Sequence, residues 1–119
     1  MTNDFKKTPP LSGQGKEIQY LIENHIWTIT WGTLRFQVLE KDIEKIISEF
    51  FIDEQQWYPL GASMNNPMKG GLGEYIHTHI PNLTPRHASA IAAILCNEQI
   101  ITIKGQKPIL LKKLSRGML

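Results

Sequence analysis

The segment 72–114 constrains the fold most, because its residues predict a fixed succession of short elements. Apolar residues recur at helical spacing in two stretches, and the break Pro81-Asn82-Leu83 separates them. Thr84 suits the N-cap of the second helix. Pro85 suits its first position, where the missing N–H removes no hydrogen bond. The predicted elements are helix 72–80, helix 85–96, strand 100–104 and strand 109–114.

The N-terminal part of the chain predicts an arm followed by a β-meander. Residues 1–15 contain prolines and glycines but few apolar residues, so a disordered arm is expected. Over 17–40, β-branched and aromatic residues alternate with polar ones, and Gly32-Thr33 supplies a two-residue turn. Residues 17–24 also fit the helical period, so a short helix is the alternative there.

A helix and a long loop are predicted between the meander and segment 72–114. Asp42 suits an N-cap for helix 42–52. Residues 53–71 contain Asn65-Asn66-Pro67 and a glycine pair, which predict an irregular loop of functional length. The apolar stripe of the helix consists of Ile43, Ile46, Ile47 and Phe50.

Composition limits the class of protein. A chain of 119 residues with 41% hydrophobic residues predicts one domain, which we place at 16–119. No window is long and apolar enough for a membrane span, and the N-terminus has no apolar signal region. The single cysteine, Cys96, lies in an apolar run and predicts a buried thiol. A cytoplasmic location is the expectation.

Charge is distributed unevenly along the chain. The formal net charge is +2, but residues 1–55 contain six basic and nine acidic residues. Residues 84–119 contain six basic residues and only one acidic residue, Glu98. A basic C-terminal third indicates a surface that faces a polyanion, and a solvated basic tail is the alternative.

The succession of elements resembles the winged helix-turn-helix superfamily over residues 72–114. That class has the order helix, helix, helix, hairpin, and helix 42–52 would be its first helix. The fold expected is therefore α+β, with an N-terminal β-meander plus a winged-helix-like helix-turn-helix and a C-terminal β-hairpin. The long loop 53–71 and the apolar second half of helix 85–96 depart from the class.

The resemblance implies a small DNA-binding protein, either a transcriptional regulator or an accessory factor of a mobile element. The first turn of helix 85–96 would contact bases, and the basic hairpin would contact phosphates of duplex DNA. Because helix 85–96 is apolar nearly all round, it would otherwise lie in the core or form a homodimer contact. The expected contact residues are Arg86, His87, Ser89, Lys104, Lys107, Lys112 and Lys113.

Two further candidate sites are a phosphate-binding loop and a metal site. The loop Lys69-Gly70-Gly71 precedes a helix and could offer N–H groups to a phosphate. His77, His79 and His87 could hold a metal in a hydrolase or nuclease. This metal hypothesis requires segment 75–80 to be a strand, because a helix points His77 and His79 about 200° apart.

A protein-interaction module without DNA binding is the remaining alternative, and exposure of Trp57 and Tyr58 would favour it. No catalytic residue, cofactor, membrane partner or small-molecule ligand is predicted.

Overall fold

Alternating β-branched and aromatic residues build a four-stranded antiparallel sheet, here named the first sheet. The computed structural model describes residues 5–114, and it orders these strands β1-β2-β3-β4. The predicted meander is confirmed, and the helical alternative for 17–24 is wrong because β2 occupies this segment. The strands are β1 (Lys6–Thr8), β2 (Ile18–Glu23), β3 (Ile26–Trp31) and β4 (Leu34–Leu39).

The predicted disordered arm over 1–15 is wrong for the residues that form β1. Lys6 pairs with Tyr20 and Thr8 with Ile18, so β1 covers the outer edge of β2. An uncovered edge leaves backbone donors and acceptors unpaired, which favours such pairing. Thr8 is only 4% exposed. Residues 1–4 of the arm and 115–119 of the predicted domain lie outside the described residues.

A polar network holds β1 and β2 against the end of a later helix. The Lys6 ammonium group lies 3.0 Å from a Glu98 carboxylate oxygen, and the Tyr20 hydroxyl donates to the same oxygen. The Asn97 amide donates to the Tyr20 hydroxyl at 2.8 Å. Burial and the bond to Glu98 raise the pKa of Tyr20 to about 12. The network therefore joins segments that are far apart in sequence.

The Glu98 carboxylate makes this network sensitive to acid. Burial alone would raise the pKa of Glu98, but hydrogen bonds from Tyr20 and Lys6 outweigh it and hold the pKa below its usual 4.5. A carboxyl group with a depressed pKa binds protons more readily in the unfolded chain. Its contribution to stability is therefore present above about pH 4.5 and is lost as the pH falls further.

Replacing Tyr20 with phenylalanine should lower the free energy of unfolding by about 1–3 kcal/mol, because the half-buried, charged Glu98 carboxylate loses one of its hydrogen-bond donors. Tyr75→Phe is the matched control, since the Tyr75 hydroxyl lies 3.4 Å from the exposed Glu49 carboxylate. Urea denaturation of both variants measures the difference. Equal losses in the two variants would mean that the network does not stabilise the fold.

The first helix begins earlier than predicted and changes its hydrogen bonding halfway. Helix α1 spans Glu40–Lys45 and continues as a π-helical turn over Ile46–Phe50, here named the π segment. Leu39 occupies the N-cap, so the predicted N-cap at Asp42 is wrong. The predicted apolar stripe is confirmed, because three of its residues are buried and Ile47 packs beside them.

The remaining elements confirm the α+β architecture of strands, then helices, then a C-terminal hairpin. The loop after the π segment contributes β5, which pairs with the hairpin to give a second sheet of order β5-β7-β6. Segment 75–80 is helical apart from its last residue. The elements are β5 (Tyr58–Pro59), α2 (Leu72–His79), α3 (His87–Asn97), β6 (Ile101–Lys104) and β7 (Leu110–Lys113).

Helix α3 lies across the inner face of the first sheet. At its start, the His87 ring packs edge-on against Phe36 of β4, with 4.4 Å between ring centroids. At its end, Asn97 and Glu98 meet Tyr20 of β2, and Glu98 also pairs with Lys6 of β1. About 11 residues of helix rise about 16 Å, which matches the roughly 14 Å from β4 to β1. Residues 90–95 are accordingly all buried.

Candidate nucleic-acid interface

The second sheet has an apolar face toward the core and a basic face toward solvent. Ile101 and Leu111 are buried on the core face. Side chains alternate along a strand, so Lys104 and Lys112 project from the other face. Their ammonium groups lie 4.3 and 5.4 Å from the centroid of the Trp57 ring. The outer face therefore gathers two cations around one indole, an arrangement that cation–π attraction stabilises.

A third lysine lies at the turn of the hairpin. Lys107 is exposed, and it follows Gly105 in the connection between β6 and β7. Gly105 has φ +81°, and a Cβ there would lie 2.7 Å from the Pro108 carbonyl oxygen. The tight turn therefore requires glycine and holds Lys107 at the end of the hairpin. We name Trp57, Lys104, Lys107 and Lys112 the basic hairpin surface.

Among residues 5–114, no carboxylate neutralises this surface. The two salt bridges of the described chain join Lys6 to Glu98 and His25 to Glu40. The ammonium groups of the basic hairpin surface thus retain their charge for an external anion.

Lys113 does not belong to this surface, although the sequence predicted it as a phosphate contact. It pairs with Ile101, so the alternation of β7 turns it to the core side. The Lys113 ammonium group donates to the carbonyl oxygen of Ile47 in the π segment at 3.3 Å. Carbonyl groups near the C-terminal end of a helix lack partners within the helix and accept such bonds.

The first turn of α3 does not present the three predicted base contacts together. Arg86 is exposed, but Ser89 is half-buried and His87 is held from two sides. The Thr84 N–H donates to His87 Nδ1 at 2.9 Å, and burial lowers the pKa of this histidine. His87 thus caps the helix as a glutamate does in a capping box, with Phe36 covering its ring.

The predicted start of α3 at Pro85 is also displaced. Residues 84–86 form a tighter turn, in which the His87 N–H donates to the Thr84 carbonyl at 3.0 Å. The Ala88 N–H donates to the Pro85 carbonyl at 3.1 Å. The regular helix therefore begins at His87, and the Thr84 side chain contacts the His87 ring rather than a backbone N–H.

The glycine loop before α2 does not form a phosphate cradle. The Gly70 N–H donates to the Glu74 carboxylate at 2.9 Å, and the Gly71 N–H donates to the Met68 carbonyl at 3.0 Å. The donors that a phosphate would need are thus occupied, and a carboxylate would repel it. Lys69 is exposed beside this loop.

The histidines predicted as metal candidates are separated. Because segment 72–79 is helical, His77 and His79 point to different sides of α2, and His79 stacks on Tyr75. His87 is half-buried and packs edge-on against Phe36. Within the described range, no group of three potential ligands could hold a metal ion.

Trp57 is the residue whose position the sequence did not indicate. Exposure of Trp57 and Tyr58 would have favoured a protein-binding surface, but both side chains are half-buried. Tyr58 packs against Phe50 and Phe51, and Trp57 lies under two lysines. Since β5 is only two residues long, no local pattern could place this tryptophan beside the hairpin.

Comparisons with known protein families, with curated proteins and with solved structures find no match to this chain. None of the helices between residues 5 and 114 has the length and apolarity needed to cross a membrane.

Proposed function

We propose that this protein binds duplex DNA through the basic hairpin surface. The supporting observation is the pairing of Lys104 and Lys112 over Trp57, with Lys107 exposed at the turn of the same hairpin and no internal carboxylate paired to the three lysines within the described chain. Lysine ammonium groups are point charges that bind backbone phosphates, and such contacts provide affinity without sequence information.

The mode of binding proposed here is contact with phosphates rather than with bases. A recognition helix must enter the major groove, but α3 packs against the first sheet, α2 and β6, and its residues 90–95 are all buried. At the start of α3, Arg86 is the one cationic side chain that is exposed. An accessory factor that binds DNA of many sequences fits this surface better than a sequence-specific regulator.

The order of elements supports a winged-helix type of fold as part of the proposal. Helices α1, α2 and α3 precede a hairpin, and the hairpin presents the lysines as a wing would. The difference lies in the first sheet, which packs on α3 together with α2 and β6. The helix that would otherwise face DNA is therefore buried over residues 90–95.

A binding titration with a labelled 20-base-pair duplex of mixed sequence tests this function. The double variant Lys104→Ala, Lys112→Ala should bind about tenfold more weakly at low salt, because two phosphate contacts are lost. The control variant Lys16→Ala, Lys41→Ala removes the same charge from exposed positions elsewhere and should bind within about twofold of wild type. Equal affinities for the two variants would contradict the proposed surface.

A single-stranded oligonucleotide of the same sequence forms the second arm of the titration. Duplex DNA has the higher phosphate density, so it should bind more tightly if point charges dominate. Tighter binding of the single strand would contradict the duplex assignment and indicate base stacking on Trp57 instead.

A further inference from the structure

A second concave site lies between the π segment, β5 and α2, away from the basic hairpin surface. Its volume is about 470 Å³, within the range of small-molecule pockets. Four aromatic side chains line it, those of Phe50, Tyr58, Tyr75 and His79. The Phe50 and Tyr58 ring centroids are 5.0 Å apart at 47°, and those of Phe50 and Tyr75 are 5.5 Å apart at 51°. Rings tilted in this way form a concave apolar wall rather than a closed stack.

Two carboxylates complete the lining of this aromatic cleft. Glu49 accepts a hydrogen bond from the Tyr75 hydroxyl at 3.4 Å, and Glu74 accepts one from the Gly70 N–H at 2.9 Å. Both residues are exposed, and neither forms a salt bridge within residues 5–114. No lysine or arginine lines the cleft. The one basic side chain of the lining is His79, which stacks on the Tyr75 ring. Carboxylates therefore outnumber basic groups in the cleft, which favours a cation.

The π segment places adjacent residues at the cleft. The Phe51 N–H donates to the Ile46 carbonyl at 3.2 Å, five residues back, so the turn is wider than in an α-helix. Both Glu49 and Phe50 consequently line the cleft, while Phe51 is fully buried beneath. π-Helical turns are rare and occur frequently at functional sites.

We propose that the aromatic cleft binds the trimethylammonium group of a small organic cation. Aromatic faces attract cations, and apolar walls suit methyl groups. A primary ammonium group has three N–H donors to satisfy, and the aromatic ring faces of the wall accept them poorly. A quaternary ammonium group has no donors, so the rings contact its methyl groups while Glu49 and Glu74 supply the opposite charge.

Choline and its uncharged isostere 3,3-dimethylbutan-1-ol test this proposal directly. They share size and hydroxyl group and differ only in the charge at the branched end. In an NMR titration, choline should shift the amide signals of the π segment and α2, and its methyl protons should show contacts to Tyr58 and Tyr75 ring protons. The isostere should bind at least fivefold more weakly. Equal binding of the two compounds, or binding of neither, would overturn the proposal.

Two variants that replace a glutamate with glutamine distinguish the loss of a charge in the cleft from a general change in net charge. Glu49→Gln should weaken choline binding about two- to fivefold, since one exposed opposite charge is lost. Glu44→Gln makes the same change on α1 outside the cleft and should leave choline binding unchanged. Equal effects of both substitutions would contradict a site at this position.

Removal of one aromatic ring tests whether the wall of the cleft binds choline. Tyr75→Leu keeps apolar volume but removes a ring, and it should weaken choline binding at least fivefold while the fold is verified by its amide spectrum. An unchanged affinity would contradict the aromatic wall.

A peptide with one trimethyllysine should bind no more tightly than choline. Tighter peptide binding would overturn the small-molecule assignment and make a protein segment the occupant.

Discussion

Replacing Gly73 with alanine should destabilise the protein by about 3 kcal/mol, the upper part of the range for an overpacked site. A Cβ at this position would lie 2.2 Å from the Gly61 carbonyl oxygen and 3.0 Å from its carbonyl carbon. Both obstacles are backbone atoms, so no side-chain rotation relieves the clash. Helix α2 or the loop before it must therefore move.

The loop that would move also positions the basic hairpin surface. The Gly73 N–H donates to the Leu60 carbonyl at 2.9 Å, and the Leu60 N–H donates to the Ile109 carbonyl at 3.0 Å. One chain of hydrogen bonds thus connects α2 to β5 and to the hairpin. Displacing it should also separate Trp57 from the lysines above it.

His77→Ala provides the control for Gly73→Ala. His77 is exposed on the same helix, where alanine has the higher helix propensity, so the control should be at least as stable as wild type. Urea denaturation measures both variants. If Gly73→Ala were also as stable as wild type, the close packing of α2 on residues 61 and 62 would be wrong.

Reversing the three charges of the basic hairpin surface should abolish most of the DNA binding. In the variant Lys104→Glu, Lys107→Glu, Lys112→Glu, attraction to phosphates becomes repulsion at each position. We expect the affinity for duplex DNA at low salt to fall roughly 100-fold or more, because the favourable release of counterions is lost. Lys104 and Lys107 are exposed, and Lys112 is half-buried on the outer face of the second sheet, so the core remains intact.

The same charge change at other exposed lysines is the control for this reversal. Lys7→Glu, Lys16→Glu, Lys41→Glu alters the net charge equally but leaves the second sheet untouched. Fluorescence anisotropy with the mixed-sequence duplex should give an affinity within about fivefold of wild type. A comparable loss in both triple variants would show that only net charge matters, which would refute a localised surface.

Much of the architecture was predictable because it depends on local patterns. The alternation in 17–40 predicts β2, β3 and β4, and the Gly105 turn predicts the hairpin. The apolar residues on every side of α3 also predicted burial. The sequence could not indicate that the first sheet packs on this helix, since that sheet lies more than 40 residues away along the chain.

The site residues were harder to predict because their roles depend on distant partners. Lys6 contacts a residue 92 positions away, which no pattern in 1–15 could reveal. His87 was expected to face DNA, but it caps its own helix and packs on Phe36. The aromatic cleft joins residues of the π segment, β5 and α2, whose spacing in sequence matches no motif.

The salt dependence of duplex binding tests the proposed DNA-binding function most directly. Three phosphate contacts should give a log–log slope of about −3, at about −0.9 per phosphate neutralised. The variant Lys104→Ala, Lys112→Ala should reduce the steepness by about two units. A wild-type slope near zero, or an unchanged slope in this variant, would contradict phosphate binding by the basic hairpin surface.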